Sequence, residues 1–263
     1  MEIEYTYSGI PKIIHQTWKT KDIPEHWKKS QKEWQRLHPE WIYILWTDDD
    51  IRNHIKKYHS DFLELHDNYE YPIQRADMIR YFILYDFGGL YSDLDFFPTE
   101  NIEKYLSFFS DYFVYSANTN CFTNSLMIST KESPIFLEII QSLKNPLPWY
   151  AIGKHMKVML STGPLLVDNV LKNSKYLYNV LPKSRFNPYS VTDDFTIYKE
   201  GSVIRTLIGS SWHSFDSTFY NFVLKYSSFF ICFGIFSILC IICGLIYYSI
   251  KYKKCKESKA CIA

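Results

Sequence analysis

The chain has 263 residues, with 29 lysines and arginines against 28 aspartates and glutamates, for a formal net charge of +1. Acidic and basic residues are intermixed, which excludes the one-sided basic surface of a nucleic-acid groove. The length suffices for one soluble domain with a sizeable core over roughly the first 220 residues. Five of the six cysteines stand at or beyond Cys232, so Cys121 alone cannot build a disulfide framework in that domain.

The opening MEIEYTYSGIPKII carries two early glutamates and neither a basic flank nor a long apolar core, and is not read as a signal peptide. Residues 10–16, IPKIIHQ, predict a first strand. His15 and Trp18 stand at its end, where α/β sheets present ligand loops. Trp18 suits either stacking on a base or packing as a core or surface aromatic.

Pro24 opens a helix over 24–37 that places Trp27 and Trp34 on one face, and Pro39 ends it. Residues 41–46, WIYILW, predict a second, parallel strand. Thr47 caps the next helix, and Asp48, Asp49 and Asp50 fill its first turn, where negative charge is favourable; these aspartates are structural. His59 and His66, seven apart and lacking a third ligand, are read as surface histidines rather than a zinc site.

Residues 73–87 predict a buried helix that ends at Gly88 and Gly89, where a missing Cβ permits strained backbone angles. Asp77 and Arg80, three apart, share a face of it. The following LYSDLDFF reads as one short strand closed by Pro98, whose period of two places Tyr91, Asp93 and Asp95 on one side. Two such carboxylates repel unless a cation or an arginine neutralises them, and a divalent metal holding phosphate oxygens is the chemistry that wants them. A solvated turn is the bland alternative, made costly by the apolar residues around the pair.

Strands are predicted at 112–117 and 125–129, with Asn124 suited to a sugar hydroxyl or to a turn. Ser133 caps a helix running from Pro134 to Leu143, and PLPW breaks the chain. In 161–167, STGPLLV, Gly163 allows close backbone approach and Pro164 opens a helix whose first amides suit a phosphate or sugar oxygen. Asp168, one turn further, faces structure. A strand at 176–181 and an irregular connection at 182–188 lead to Gly209-Ser210-Ser211-Trp212-His213. Residues 229–250 carry no charge and are long enough to span a bilayer, about 20 apolar residues being sufficient.

The string Arg75, Ala76, Asp77, Arg80, Tyr81, Leu84, Gly88, Gly89, Tyr91, Asp93 and Asp95 resembles the signature of the DxD glycosyltransferases, specifically the family of the yeast Golgi alpha-1,6-mannosyltransferase and the inositol phosphoceramide mannosyltransferases. More distantly it resembles the catalytic domains of clostridial glucosylating toxins. IPKIIHQTW is similar to the family's opening motif, TGP to its helix entry, Ser210 and Trp212 to a Ser-x-Trp element, and His213 to a Trp-His ending.

The resemblance implies an α/β, single-domain Rossmann-like GT-A fold, and the uncharged run adds a C-terminal transmembrane helix after it: a catalytic domain over 1–222, a membrane-proximal and spanning segment over 223–250, and a basic tail over 251–263. It implies a sugar nucleotide donor, Mn2+ with Mg2+ possible, and retention of configuration. Asp93 and Asp95 would hold the metal, with His213 completing the site. Asp77, Arg80 and Arg75 would orient the donor. His15, Trp18, Asp93, Asn124, Gly163, Ser210 and Trp212 would line it.

GDP-mannose and a membrane lipid or glycan acceptor such as inositol phosphoceramide are the implied substrates. UDP-glucose or UDP-galactose transfer, or a non-catalytic carbohydrate-binding or scaffold role at the membrane, are the alternatives. Lys251, Lys253, Lys254, Lys256 and Lys259 follow the apolar span, against Lys225 nearby before it. The positive-inside rule then places the tail in the cytosol and the catalytic domain in a Golgi or ER lumen. Insertion after translation, with catalysis in the cytosol, is the alternative. Cys255 and Cys261 form no prenylation box.

Overall fold

A computed structural model describes residues 3–107, 110–117, 119–189, 193–194, 197–209, 215–218 and a few positions between 222 and 242. The chain divides into two compact units, Met1–Trp212 and His213–Ala263. The second is described only in part: residues 215–218 form a helical turn, and the rings of Phe222 and Tyr226 lie 4.8 Å apart. The expected membrane span lies almost wholly outside the described residues, among which no helix is long and apolar enough to cross a membrane.

The first unit opens with β1 (Ile13–Thr17), α1 (Glu25–Leu37), β2 (Ile42–Trp46) and α2 (Asp48–Tyr58). α2 begins as its composition dictates. The Asp50 amide donates to Thr47 Oγ1 at 3.2 Å while the Asp50 carboxylate accepts from the Thr47 amide at 3.0 Å, a reciprocal cap. α3 (Leu63–Asn68) and α4 (Pro72–Phe87) follow. α4 has Pro72 in its first turn, and the Gln74 carboxamide accepts from the Tyr71 amide at 3.0 Å. Every residue from Asp77 to Leu84 is buried, because α4 is the central helix, packed on all sides rather than along one stripe.

After Gly88 the chain enters β3 (Gly89–Ser92) and β4 (Phe96–Pro98). Gly89 has φ +89°, and a Cβ there would meet the Ile13 carbonyl oxygen at 2.5 Å. No other residue lets α4 discharge onto β1 so closely. Then come β5 (Asp111–Tyr115), β6 (Phe122–Ser129), α5 (Pro134–Ser142), α6 (Gly153–Ser161), α7 (Pro164–Asn173), β7 (Tyr178–Leu181), α8 (Lys183–Phe186) and β8 (Ile204–Thr206).

The main sheet has six strands in the order β2-β1-β3-β6-β5-β7, and β4 pairs separately with β8. β1 is parallel to β2 and β3, and β5 to β7, whereas β6 runs antiparallel to both its neighbours. The architecture is a mixed α/β layer fold. Strand alternation divides the core between the faces: Phe113 and Met127 pack with α2, α4, α5 and α7, while Tyr112, Val114, Leu126 and Ile128 pack with Trp34 and Phe186.

Three expectations are corrected here. LYSDLDFF is not one strand but two, β3 and β4, separated by a turn at Asp93–Asp95. The irregular connection at 182–188 contains α8. His66 is buried and His59 half-buried rather than on the surface.

Candidate functional site

The turn carrying Asp93 and Asp95 projects from the C-terminal end of β3. Its entry is held by neighbours, not by its own propensity: the Asp93 amide donates to Ser125 O on β6 at 2.9 Å, and Gln16 Nε2 on β1 donates to Asp93 O at 3.2 Å. The Phe96 amide donates back to Asp93 O at 3.1 Å and closes the turn. On the exit side β4 pairs with β8, and the Leu207 amide donates to Asp95 O at 2.6 Å. Trp27 Nε1 donates to Ile208 O at 3.0 Å and ties this late segment to α1. Asp95 is therefore flanked by sequence more than a hundred residues downstream.

Arg80 lies beneath the turn. Its Nη2 is 2.6 Å from Asp77 Oδ1 and its Nη1 is 3.3 Å from Asp93 Oδ1 and 2.8 Å from the Asn124 carbonyl oxygen. The guanidinium also covers the Tyr91 ring at 4.6 Å. Burial works against its charge, but Tyr91, Asp93 and Asp77 together hold it more firmly protonated than a free arginine. Burial likewise pushes the Asp77 carboxyl up while Arg80 pulls it back toward ionisation. A guanidinium keeps its proton in proteins, so Arg80 carries its charge beside Asp77. Tyr91 Oη donates to Asp93 Oδ1 at 2.8 Å, so that carboxylate is oriented by a phenol and an arginine together.

Asp95 is in the opposite situation. Burial first, and the neighbouring Asp93 charge second, push its carboxyl up to about 7. Among the described residues it has no ion-pair partner. A half-buried carboxylate short of positive charge, beside a second carboxylate, is the donor set a hard divalent cation takes up. Asp95 and Asp93 therefore fit a metal, with Asp95 the freer of the two.

The other expected residues distribute differently. Trp18 is half-buried and meets Trp27 edge-on at 4.9 Å, in the small cluster that also holds Leu94 of the acidic turn. Arg75 Nη1 donates to Tyr69 O at 3.0 Å. His15 is fully buried: Trp46 Nε1 donates to its Nδ1 at 3.1 Å and its Nε2 lies 3.0 Å from Gly88 O. Both ring nitrogens serve the scaffold. Asn124 is buried, with Nδ2 donating to Tyr81 Oη at 3.0 Å. Gly163 packs on α6, where a Cβ would meet Val158 O at 2.9 Å. Asp168 accepts from the Phe122 amide at 3.0 Å, a structural contact. Ser210, Trp212 and His213 lie outside the described residues.

Three residues named in the sequence motifs take roles at the site that the sequence reading did not assign. Thr162 Oγ1 lies 3.5 Å from Asp77 Oδ2, and Tyr81 Oη donates to Thr162 O at 2.5 Å, joining the TGP turn to α4 beneath the site. Gly209 packs on Asp95, and its signal in the sequence was its place directly after the apolar pair Leu207-Ile208 at the head of the closing Gly209–His213 segment.

One further cluster has ligand chemistry. His54, His59 and Asp86 converge, both imidazole Nε2 atoms lying 2.6 and 2.7 Å from the same Asp86 Oδ2. Two ligands on a tetrahedral zinc stand about 3.3 Å apart, given metal–ligand distances of about 2.0–2.1 Å. The cluster is a shared hydrogen bond that staples α2 to the end of α4.

A family profile described as the glycosyltransferase sugar-binding region containing DXD motif matches residues 24–121. The chain is 37% identical over 213 residues to the mannosyl phosphorylinositol ceramide synthase CSH1 of Saccharomyces cerevisiae, covering 80% of this chain and 54% of that protein. It is 32% identical over 247 residues to inositol phosphoceramide mannosyltransferase 3 of Schizosaccharomyces pombe, covering 93% and 67%. It is 37% identical over 252 residues to the Saccharomyces cerevisiae synthase SUR1, covering 89% and 63%. The chain thus spans between about half and two thirds of the length of these relatives. Among solved structures it is similar to the PaToxG glycosyltransferase, with a TM-score of 0.46 and 17% identity over 62% of this chain and 69% of that one.

Proposed function

Because the chain belongs to the glycosyltransferase family with the DXD-containing sugar-binding region, we propose that it is a retaining, metal-dependent hexosyltransferase of the GT-A type. It moves mannose from GDP-mannose to inositol phosphoceramide or a similar membrane acceptor. The observation that carries the reading is the pairing of Asp93, fixed by Arg80 and Tyr91, with Asp95, which has no ion-pair partner among the described residues. The transferred mannose and the inositol phosphoceramide acceptor are those contained in the names of the relatives, and GDP-mannose is the donor the reading assigns to that mannose.

Asp95 and Asp93 would hold a divalent cation, Mn2+ or Mg2+, which would neutralise the charge developing on the departing diphosphate. Arg80 and Tyr91 hold Asp93 in orientation, and Asp77 keeps Arg80 in place against burial. Trp18, beside Leu94, offers the aromatic wall for a base. The second prominent buried carboxylate, Asp77, is committed to Arg80, which leaves it unsuited to act as a base on an acceptor and accords with retention.

The uncharged segment 229–250, followed by five lysines, supports a single anchor with the tail in the cytosol and catalysis in a Golgi or ER lumen. The catalytic domain is taken as 1–222, the anchor region as 223–250 and the tail as 251–263.

The test is transfer by the purified full chain. GDP-mannose, UDP-glucose and UDP-galactose are each offered with Mn2+ and vesicles containing inositol phosphoceramide, and lipid products are weighed by mass spectrometry. A hexose adduct from GDP-mannose, abolished by chelation, is expected. An adduct from a UDP-sugar alone overturns the donor assignment, and no adduct or donor hydrolysis from any of them overturns catalysis.

A further inference from the structure

The segment joining α5 to α6 reads NPLPWYAI from Asn145 to Ile152 and carries no charge. Its large side chains stand in water: Trp149 is 89% exposed, Ile152 76%, Tyr150 52% and Leu147 40%. Exposed apolar residues are ordinary when scattered, but four within six positions on one protruding turn mark a contact surface.

The turn is built, not slack. The Asn145 amide donates to Ser142 O at 3.1 Å, the Ala151 amide to Pro148 O at 2.9 Å and the Ile152 amide to Tyr150 O at 2.8 Å. Pro146 and Pro148 have no amide to satisfy. Five of the eight residues therefore present no open amide, which reduces the cost of moving the turn out of water. The Trp149 and Tyr150 rings meet edge-on at 5.8 Å and share one side of the turn.

Charge selects the partner. No acidic residue occurs between Glu138 and Asp168, and the charged residues that flank the turn are Lys144 and Lys154. Lys144 also reaches Asp61 at 2.8 Å, and Lys157 reaches Glu70 at 2.7 Å, so the excess of positive charge is modest and the apolar side chains dominate. Tryptophan and tyrosine at a tip with lysines behind them match the interfacial layer of an anionic bilayer, where aromatic rings sit at the headgroup level and basic residues meet phosphates.

The geometry also relates the turn to the site. α6 starts directly behind Ile152 and its nine residues, about 14 Å at 1.5 Å each, lead to Thr162, which meets Asp77. A bilayer touching the turn would lie about one helix length from the donor-orienting pair.

We propose that Leu147, Trp149, Tyr150 and Ile152 form an interfacial anchor that dips into an anionic lipid bilayer and sets the catalytic domain at the membrane surface. The anchor deepens the functional reading, on which it rests for the acceptor, and it is tested without turnover.

The full chain is reconstituted in phosphatidylcholine vesicles with phosphatidylserine, a lipid-soluble carbene probe is photolysed, and labelled peptides are mapped by mass spectrometry. Label in the peptide from Asn145 to Lys154 is expected, and its loss in the Trp149→Ser, Ile152→Ser double variant. No label there, whether the turn stays in water or packs on a second copy of the chain, overturns the anchor even if mannose transfer is confirmed. Label without any transfer supports the anchor and refutes the enzymatic reading instead. In the active enzyme the double variant raises KM for vesicle-borne acceptor by roughly tenfold, the equivalent of about 1.4 kcal/mol. Donor hydrolysis in detergent stays unchanged, and an unchanged KM overturns the link to the acceptor.

Discussion

Gly209 lies against the Asp95 carboxylate so closely that a Cβ at position 209 would collide with its Oδ2. The late segment after β8 therefore closes over the acidic turn, and the absence of a side chain at 209 leaves the carboxylate its position. Gly209→Ala is expected to displace Asp95 and lower kcat by roughly tenfold or more, a tenfold loss being about 1.4 kcal/mol. Urea midpoints should barely move, because 209 is near the domain's edge. An Ala variant with full activity at limiting Mn2+ would refute the contact.

Asp95→Asn separates stability from function. The Asp95 carboxyl is raised to about 7 by burial and Asp93, so its ionisation opposes folding of the metal-free chain. Stability from its protonated form is complete below about 4 and is lost as pH rises through about 7. At pH 8 without metal, Asp95→Asn is expected to be as stable as the parent or more so, while metal-dependent donor turnover collapses. Thermal melts with and without Mn2+ check the first half and product assays the second. A markedly less stable Asn variant would count against the reading.

Arg80 joins two carboxylates, and removing it strands both. Arg80→Met is expected to cost on the order of 3–5 kcal/mol, the usual penalty for breaking a buried pair from one side. Adding Asp77→Asn should recover part of that loss without restoring activity, because Asp93 still lacks its orienting cation. Denaturant titration of the single and double variants measures the coupling. Strict additivity would show that the 2.6 Å pair contributes nothing.

His15 predicts an acid limb. Burial lowers its pKa from 6.5 to about 4, with the hydrogen bond to Gly88 opposing. A lowered value favours the neutral ring in the fold, so this stability is complete above about 6.5 and is lost as pH falls through about 4. The difference corresponds to about 3 kcal/mol at one pKa unit per 1.36 kcal/mol. His15→Gln should be less stable at pH 7.5 and show a shallower decline between 6.5 and 4. An identical slope in both proteins would remove His15 as the cause.

Much of the frame was legible because the signals are local. The Thr47 cap needs only the residues up to Asp50, the Gly88 exit of α4 is set by backbone chemistry at that position, and the run from Met78 to Leu84 is apolar but for Arg80. Asp77 and Arg80 meet because three residues on a helix subtend one face. These features, with the two aspartates that follow, were sufficient to point to a metal-and-phosphate site.

What the sequence could not disclose was decided by partners far along the chain. Period two continued through LYSDLDFF on paper, but the Asp93 amide goes to Ser125 and Phe96 pairs with Thr206, so the strand breaks and a turn carries the two carboxylates. His15 looked available at a strand end, yet Trp46 and Gly88 occupy both its nitrogens. The exposure of Trp149 and the crowding of Gly209 on Asp95 are likewise invisible in composition. Propensity acts over a few residues, whereas burial and hydrogen-bond partners are fixed only when distant segments close on one another, and in this chain that closure decides which side chains reach the site.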